Sequence, residues 1–344
     1  CFCFPLRQTV MRGITEPPTE SVLRGPREGF IEDIKANTTL IRRKIKSEKL
    51  VITNMSVGEQ THTSVAVCYI DGIADKTIIS TVKERISKIK TDGILDSYYI
   101  EQYLCENKYS LFTQVGSSEK PDVVAAKLLE GRIAIIVDGS PSVLTVPFLL
   151  FEAMQDAYDY YSNDWRASLI RIFRIIGMLL TIFLPAAYVA FETFHFHLLP
   201  LKFLITLLNA TNGIPFPPQI EILLVLLLFE ILNQASIRMP RFLGISLSIV
   251  GAIVLGDTAV KAGFISSPAV LIIALSSIGI FCVPSQVNVI SMLRTIFVCI
   301  AAVLGLYGLL IATIMTVCYI VSINNYGTPF AAPFAPIVSS DLKD

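Results

Sequence analysis

The second half of this 344-residue chain has very little charge. Residues 166–344 carry 9 Lys/Arg and 6 Asp/Glu, 15 charges in 179 positions, whereas residues 1–165 carry 41. A charged fraction of about one quarter is ordinary for a water-soluble domain; one below about one tenth over so long a stretch belongs to a segment whose solvent is lipid. Histidine is scarce too, with His62, His195 and His197 only, and none of the seven cysteines forms a C-x-x-C pair. A disulfide framework and a structural zinc site are therefore not expected, and the cysteines read as small buried hydrophobes. The His195-x-His197 pair falls between apolar runs and reads as interfacial rather than metal-binding. No metal or cofactor is expected.

The chain lacks a GxGxxG after a strand, a P-loop, HExxH, GxSxG and a glycine-rich kinase loop, so no enzymatic apparatus is visible. Basic and acidic side chains balance at 28 each, without a long charged tail, which gives nucleic acid no electrostatic footing as a partner. No charged, apolar and small-residue succession marks a secretory signal. The opening Cys1-Phe2-Cys3-Phe4-Pro5 and the ending Asp341-Leu342-Lys343-Asp344 read as those of a fragment lacking both termini.

Residues 1–27, rich in Pro and Gly, read as an extended lead-in, and 28–155 as a soluble α/β domain. A helix is expected from near Glu28, with Phe30, Ile34, Ile41 and Ile45 on one face. Its Arg42-Arg43-Lys44-Ile45-Lys46 cluster has two readings, a solvated face or a contact with anionic headgroups or acidic partners. Val65-Ala66-Val67-Cys68-Tyr69-Ile70 and Ile133-Ala134-Ile135-Ile136-Val137 are continuous apolar runs of strand length, each followed by Asp-Gly. Helices at about 74–90 and from Pro121 to Glu130 lie between them, with Gly131 at a helix-ending position. The pattern predicts a partly parallel sheet covered on both faces. Asp71-Gly72 and Asp138-Gly139 are either plain turns or the lining of a ligand cleft at the strand ends.

A juxtamembrane linker, 156–174, is polar and aromatic, and its Arg166, Arg171 and Arg174 favour cytoplasmic placement of the soluble domain. The transmembrane domain, 175–323, holds apolar runs at 175–191, 198–208, 220–232, 242–255, 269–283 and 296–323. A crossing needs about 20 residues, so 198–208 reads as re-entrant or interfacial, leaving about five spans. Five spans put Arg238, Arg241 and Arg294 on the cytoplasmic side and Lys202 and Lys261 on the other; splitting the long last run changes the parity. Residues 324–344 read as the start of a C-terminal tail.

Each charge inside the apolar half has to be explained by a cavity, a partner or an interface. Glu221, Glu230 and Asp257 are the acidic candidates. Glu221 and Glu230 are nine residues apart and point to opposite faces of a helix, whereas Glu230, Gln234 and Arg238 form one polar stripe. That stripe lines a hydrated path, contacts another subunit, or closes a Glu230–Arg238 network at a helix end; the three remain open. Glu221 follows Ile214-Pro215-Phe216-Pro217-Pro218, where regular helix is impossible, and irregular backbone at membrane depth needs protein or water around it. Pro215, Phe216, Pro217 and Glu221 are thus candidates for a gate or constriction. Gly244, Ser248, Ala252 and Gly256 recur every four residues as a small-residue ridge for helix packing, within the chain or between copies.

Taken in order, Arg24-Gly25-Pro26-Arg27-Glu28-Gly29-Phe30, Leu129-Glu130-Gly131-Arg132, Val137-Asp138-Gly139, Asp159-Tyr160-Tyr161, Ile214-Pro215-Phe216-Pro217, Phe229-Glu230, Arg238-Met239-Pro240 and Ser248-Ile249-Val250-Gly251-Ala252 resemble the A subunit of the GerA-type spore germination receptors. The likeness runs from about residue 12 to 344. It implies a soluble α/β domain followed by an all-α multi-span membrane domain in the spore inner membrane. It also implies a transporter-like B subunit and a lipoprotein-like C subunit as partners, self-association, and an ion path formed or gated by this subunit in response to nutrients, without covalent chemistry. At Gln234 and Lys261 the family pattern favours an acidic residue. The alternatives are a secondary transporter with a regulatory soluble domain, for which 214–218 would be a broken-helix site, and a non-conducting assembly subunit.

Overall fold

Alternating burial decides where the first sheet sits. In the strand β2, which follows β1 (Leu50–Val57) and spans Thr63–Ile70, Val65 and Val67 face one core, while Ala66, Cys68 and Ile70 face another. The same period of two divides β4 (Ile133–Val137), with residues 133, 135 and 137 on one face and 134 and 136 on the other. Both faces are covered. Helices α2 (Lys76–Ser87) and α3 (Ser97–Leu104) bury Ile78, Val82, Ile86, Ile100 and Leu104 on one face. On the other, α1 (Ile34–Lys44) and α4 (Pro121–Leu129) bury Leu40, Ile41, Val124 and Leu128. Each fully buried Ile or Leu contributes about 1.5–3 kcal/mol relative to exposure, which makes these two apolar layers the main force on the fold.

The computed structural model describes residues 13–17, 19–20, 24–107, 109–161, 163–238, 251 and 253–336. They divide into two units, one of Cys1–Ala167 with Val321–Asp344 and the other of Ser168–Ile320. In the first unit β3 (Gly116–Ser118) and β5 (Val143–Val146) complete a five-stranded sheet of order β1-β2-β4-β5-β3.

Every strand pair in that sheet is antiparallel, so the expected partly parallel pairing is corrected. Asp138-Gly139 does not open a crossover: it lies in the hairpin that returns β4 onto β5, with Ile133 opposite Val146 and Gly139 at φ 86°. With β2 and β4 antiparallel, Val65 lies opposite Val137, and the two Asp-Gly turns follow neighbouring strands that finish at opposite ends of the sheet. They cannot line one cleft. Each has a local role instead: Asp138 Oδ1 accepts the Ile34 amide at the start of α1, and the Asp71 amide donates to Lys49 O.

Helix α1 starts at Ile34, not near Glu28. Asp33 caps it by accepting the Ala36 amide at 2.8 Å, and the preceding segment is held extended by a bond from the Phe30 amide to Glu119 O. The Arg42–Lys46 cluster is exposed apart from Ile45, and Arg43 pairs with Glu28. At the end of α4, Gly131 adopts φ 90°, and an added Cβ would meet Ile73 O at 3.2 Å.

In the second unit, α6 (Asp164–Thr193) follows the one-turn α5 (Ala157–Tyr160) and is continuous across residue 174. It is followed by α7 (Leu201–Thr211), α8 (Pro218–Arg238), α9 (Ser267–Ile280) and α10 (Val287–Ser322). Among the described residues three helices are long and apolar enough to cross a membrane, within 164–193, 218–236 and 284–322, while α7 and α9 are shorter apolar helices. At 1.5 Å per residue, α10 extends about 54 Å, well beyond a hydrocarbon core of about 30 Å. Gly305 breaks it: its φ 60°, ψ −143° is not helical, and a Cβ there would press on Phe194 and His195. Most of the apolar run 242–255 falls outside the described residues.

Candidate functional site

One polar network of the second unit gathers around a buried arginine. Arg294 lies in α10 on the stripe that also buries Ile290, Phe297, Val298 and Ala301, and it is itself buried. Its Nη1 donates to Ser276 Oγ at 3.2 Å and Ser277 Oγ at 3.3 Å on α9. Its Nη2 lies 3.9 Å from Glu230 Oε2 on α8. Ser291, one turn before Arg294, donates to the same Glu230 oxygen at 2.9 Å, and Gln234 Nε2 reaches Glu230 Oε1 at 3.4 Å. Ser276 in turn donates to Thr181 O on α6 at 2.8 Å. Four helices are therefore tied by one network.

Arg294 falls between two apolar runs, on the cytoplasmic side under a five-span count. The structure shows it buried against α8 and α9 rather than exposed. A signal was present in the spacing: Ile290, Arg294, Phe297 and Ala301 follow the helical period, and such a stripe marks a buried face. Of the expected stripe, Glu230 and Gln234 are in contact, and Arg238 is exposed in the last turn of α8. Glu230 finds its counter-charge on α10.

Glu221 has a separate setting. It is buried in the first turn of α8, and its Oε1 accepts the amide of Ser266, the residue that caps α9 through a bond from the Ala269 amide to Ser266 Oγ. A carboxylate at a helix N-terminus is stabilised by the free amides and the helix dipole, so Glu221 clamps α8 to α9. Pro215, Phe216 and Pro217 form the non-helical connection before α8, and Pro217 O accepts the amides of Ile220 and Glu221. Glu192, near the end of α6, is a further acidic group within electrostatic reach of Glu221 and Tyr188. Asp257 pairs with Lys261 at 2.8 Å on the surface, in a π-helical and short helical stretch.

Small residues do bring helices together, at a place the sequence reading did not single out. A Cβ on Gly279 of α9 would collide with the Thr181 hydroxyl and approach Gly177 O of α6 to 2.7 Å, and one on Gly177 would meet Cys282 Sγ at 2.6 Å. Of the proposed ridge, Gly244, Ser248 and Ala252 lie outside the described residues, and Gly256 is exposed with open space where a Cβ would stand. His195 and His197 follow α6 in a short turn, their rings 6.0 Å apart, with His195 6.2 Å from Tyr307.

A three-layer α/β unit followed by a unit of apolar helices, three of them among the described residues long and apolar enough to cross a membrane, defines a membrane-associated protein. The whole chain, residues 1–344, matches the family model described as Bacillus/Clostridium GerA spore germination protein, and the chain belongs to that family. It is 42% identical over 335 residues to spore germination protein KA of Bacillus subtilis, covering 97% of this chain and 62% of that protein. It is 40% identical over 335 residues to the uncharacterized membrane protein YfkQ of the same organism, covering 97% and 65%. The crystal structure of the N-terminal domain of the A subunit of the Bacillus megaterium spore germinant receptor GerK3 is similar at 41% identity, with a TM-score of 0.30, over 36% of this chain and 97% of that one. The chain thus spans less than two thirds of the length of these two full-length relatives.

Proposed function

We propose that the chain is the A subunit of a nutrient germinant receptor in the spore inner membrane, that it self-associates, and that its membrane unit forms or gates an ion path whose opening begins germination. A transporter-like B subunit and a lipoprotein-like C subunit are its partners in this reading. Family membership supports the receptor role, and the single observation that supports a gate is the Glu230–Arg294 pair. An arginine at membrane depth is tolerated only with partners, and separating a buried ion pair is costly because one charge is left uncompensated. The pair therefore holds α8, α9 and α10 in one arrangement. Movement of α10 away from α8 frees Glu230, already half-exposed, to face a hydrated path as a fixed negative charge that favours cations.

Rubidium efflux triggered by nutrient, from cells producing the full-length chain with its two partner subunits, tests this reading against Glu221→Ala and Glu230→Ala variants. Efflux that depends on this chain and changes with Glu230→Ala supports the gate; unchanged efflux in both variants points to a non-conducting assembly subunit. A secondary transporter is the second reading, and the Gly305 break favours it, since interrupted helices form substrate and ion sites in transporters. Nutrient accumulation without rubidium efflux would select it.

A further inference from the structure

The residues after the last apolar helix form part of the core of the soluble unit. β6 (Asn324–Asn325) and β7 (Thr328–Pro329) are joined by Tyr326-Gly327, at φ 54° and 78°, a two-residue turn with both central residues in the left-handed region. Glycine adopts that region freely, whereas a tyrosine there is strained by its Cβ against the backbone. Contacts on all sides of Tyr326 offset the strain. Its ring lies under the Arg85 guanidinium at 4.8 Å, its hydroxyl donates to Leu104 O at 2.7 Å, and its amide donates to Glu106 Oε2 at 3.0 Å. Arg85 also binds Leu104 O and Glu106, so one constellation at the ends of α2 and α3 receives the turn. Burial pushes the Tyr326 hydroxyl up to about 12, so it remains a donor throughout the physiological range.

Asn325 is the second anchor. It is fully buried, and its Nδ2 donates to Gln114 O at 2.6 Å and Phe148 O at 2.8 Å, using both amide hydrogens. Behind it Phe330, also fully buried, packs at 5.8 Å from Phe112 and accepts the Leu150 amide. The hairpin is thus fixed to residues near 85, 104, 114 and 148, spread over α2, α3 and the flanks of β3 and β5. Only Ile323 separates it from the end of α10.

We infer that this hairpin is a strap by which the soluble unit holds the C-terminal end of α10, so that α10 cannot turn or slide there without breaking the Asn325 and Tyr326 anchors or carrying α2 and α3 with it. The consequence for ion passage rests on the gating reading above; the strap itself does not.

The test uses the full-length chain in membranes with its partner subunits. Asn325→Asp replaces two donors with a carboxylate facing two carbonyl oxygens, and Tyr326→Phe removes one hydroxyl. Hydrogen exchange at 324–330 is expected to rise about tenfold or more in Asn325→Asp and less in Tyr326→Phe, with β2 and β4 unchanged. The reaction of Cys318, exposed on α10, with a lipid-permeant maleimide is expected to change about threefold or more in the same order. A freed hairpin with unaltered Cys318 reactivity overturns the strap, as does a hairpin that stays protected in both variants. If β2 and β4 also lose protection in Asn325→Asp, the Tyr326→Phe result decides. Rubidium efflux recorded alongside separates the two ideas: none from the unsubstituted chain refutes the gate, while Cys318 still judges the strap.

Discussion

Arg294 and Glu230 face each other across α10 and α8 at 3.9 Å, but unequally: the arginine side chain is 3% exposed and the glutamate 40%. The arginine depends on the pair far more than the glutamate does. Ser276 and Ser277 occupy one guanidinium nitrogen, and Arg294 Nε has no partner.

That asymmetry predicts unequal mutants. Glu230→Leu leaves a buried cation uncompensated and should cost about 1–3 kcal/mol, the usual penalty reduced because Glu230 is partly solvated. Arg294→Leu leaves a half-exposed carboxylate and should cost less. In the double variant the costs should not add, with a coupling of about 0.5 kcal/mol or more, measured by detergent unfolding of the full-length protein. Strict additivity would show that the two residues do not interact.

Gly279→Ala inserts a methyl group between α9 and the Thr181 hydroxyl and Gly177 backbone of α6. Overpacking of this kind costs about 1–3 kcal/mol. Gly256→Ala, into open space, should change stability by less than about 0.5 kcal/mol. Thermal unfolding of the two variants side by side checks this contrast, and equal losses would contradict the close approach.

Asn325 bonds to Gln114 within one folded unit although 211 residues separate them. With both ends of the intervening apolar segment in that unit, the account predicts that the segment crosses the membrane an even number of times. The five-span count from apolar runs is odd; a last run split at Gly305 makes it even. Cysteines placed at Glu84 and Asn324, both exposed, should react with an impermeant thiol reagent from the same side. Labelling from opposite sides would contradict this topology.

Glu20 accepts a hydrogen bond from Ser118, and burial raises its carboxyl above the ordinary value of 4.5. An acid whose folded value is raised lends stability that is complete below the unfolded value and is lost as pH rises through the folded one. Protection of the lead-in against hydrogen exchange should therefore fall as pH rises from about 4.5 through that higher value, and Glu20→Gln should flatten the dependence. An unchanged profile in the variant would remove Glu20 as its cause.

Much of this was legible from periodicity. Val65–Ile70 and 133–137 read as strands buried on both faces because their apolar runs have no polar gap, and the helix at Pro121 and the stop at Gly131 are written in backbone chemistry. Strand direction was not legible. β5, a four-residue strand with prolines at 141 and 147, and β1, with Thr53, Asn54 and Ser56 on a partly exposed edge strand, do not stand out as apolar runs. Without them the two buried strands look like successive members of a parallel sheet. In the membrane half, Glu230 was found because a charge among apolar residues needs a reason. The burial of Arg294 was not legible because a cation between two runs resembles a loop anchor, and its partners Ser276, Ser277 and Glu230 come from other helices.

The measurement closest to the central proposal is nutrient-triggered rubidium efflux through the full-length chain with its partners, compared among the unsubstituted protein, Glu230→Gln and Arg294→Gln. The account predicts that Arg294→Gln, which frees Glu230, raises efflux in the absence of nutrient, and that Glu230→Gln, which removes the fixed negative charge, lowers the triggered efflux. Equal efflux in all three proteins, at equal abundance in the membrane, would contradict it.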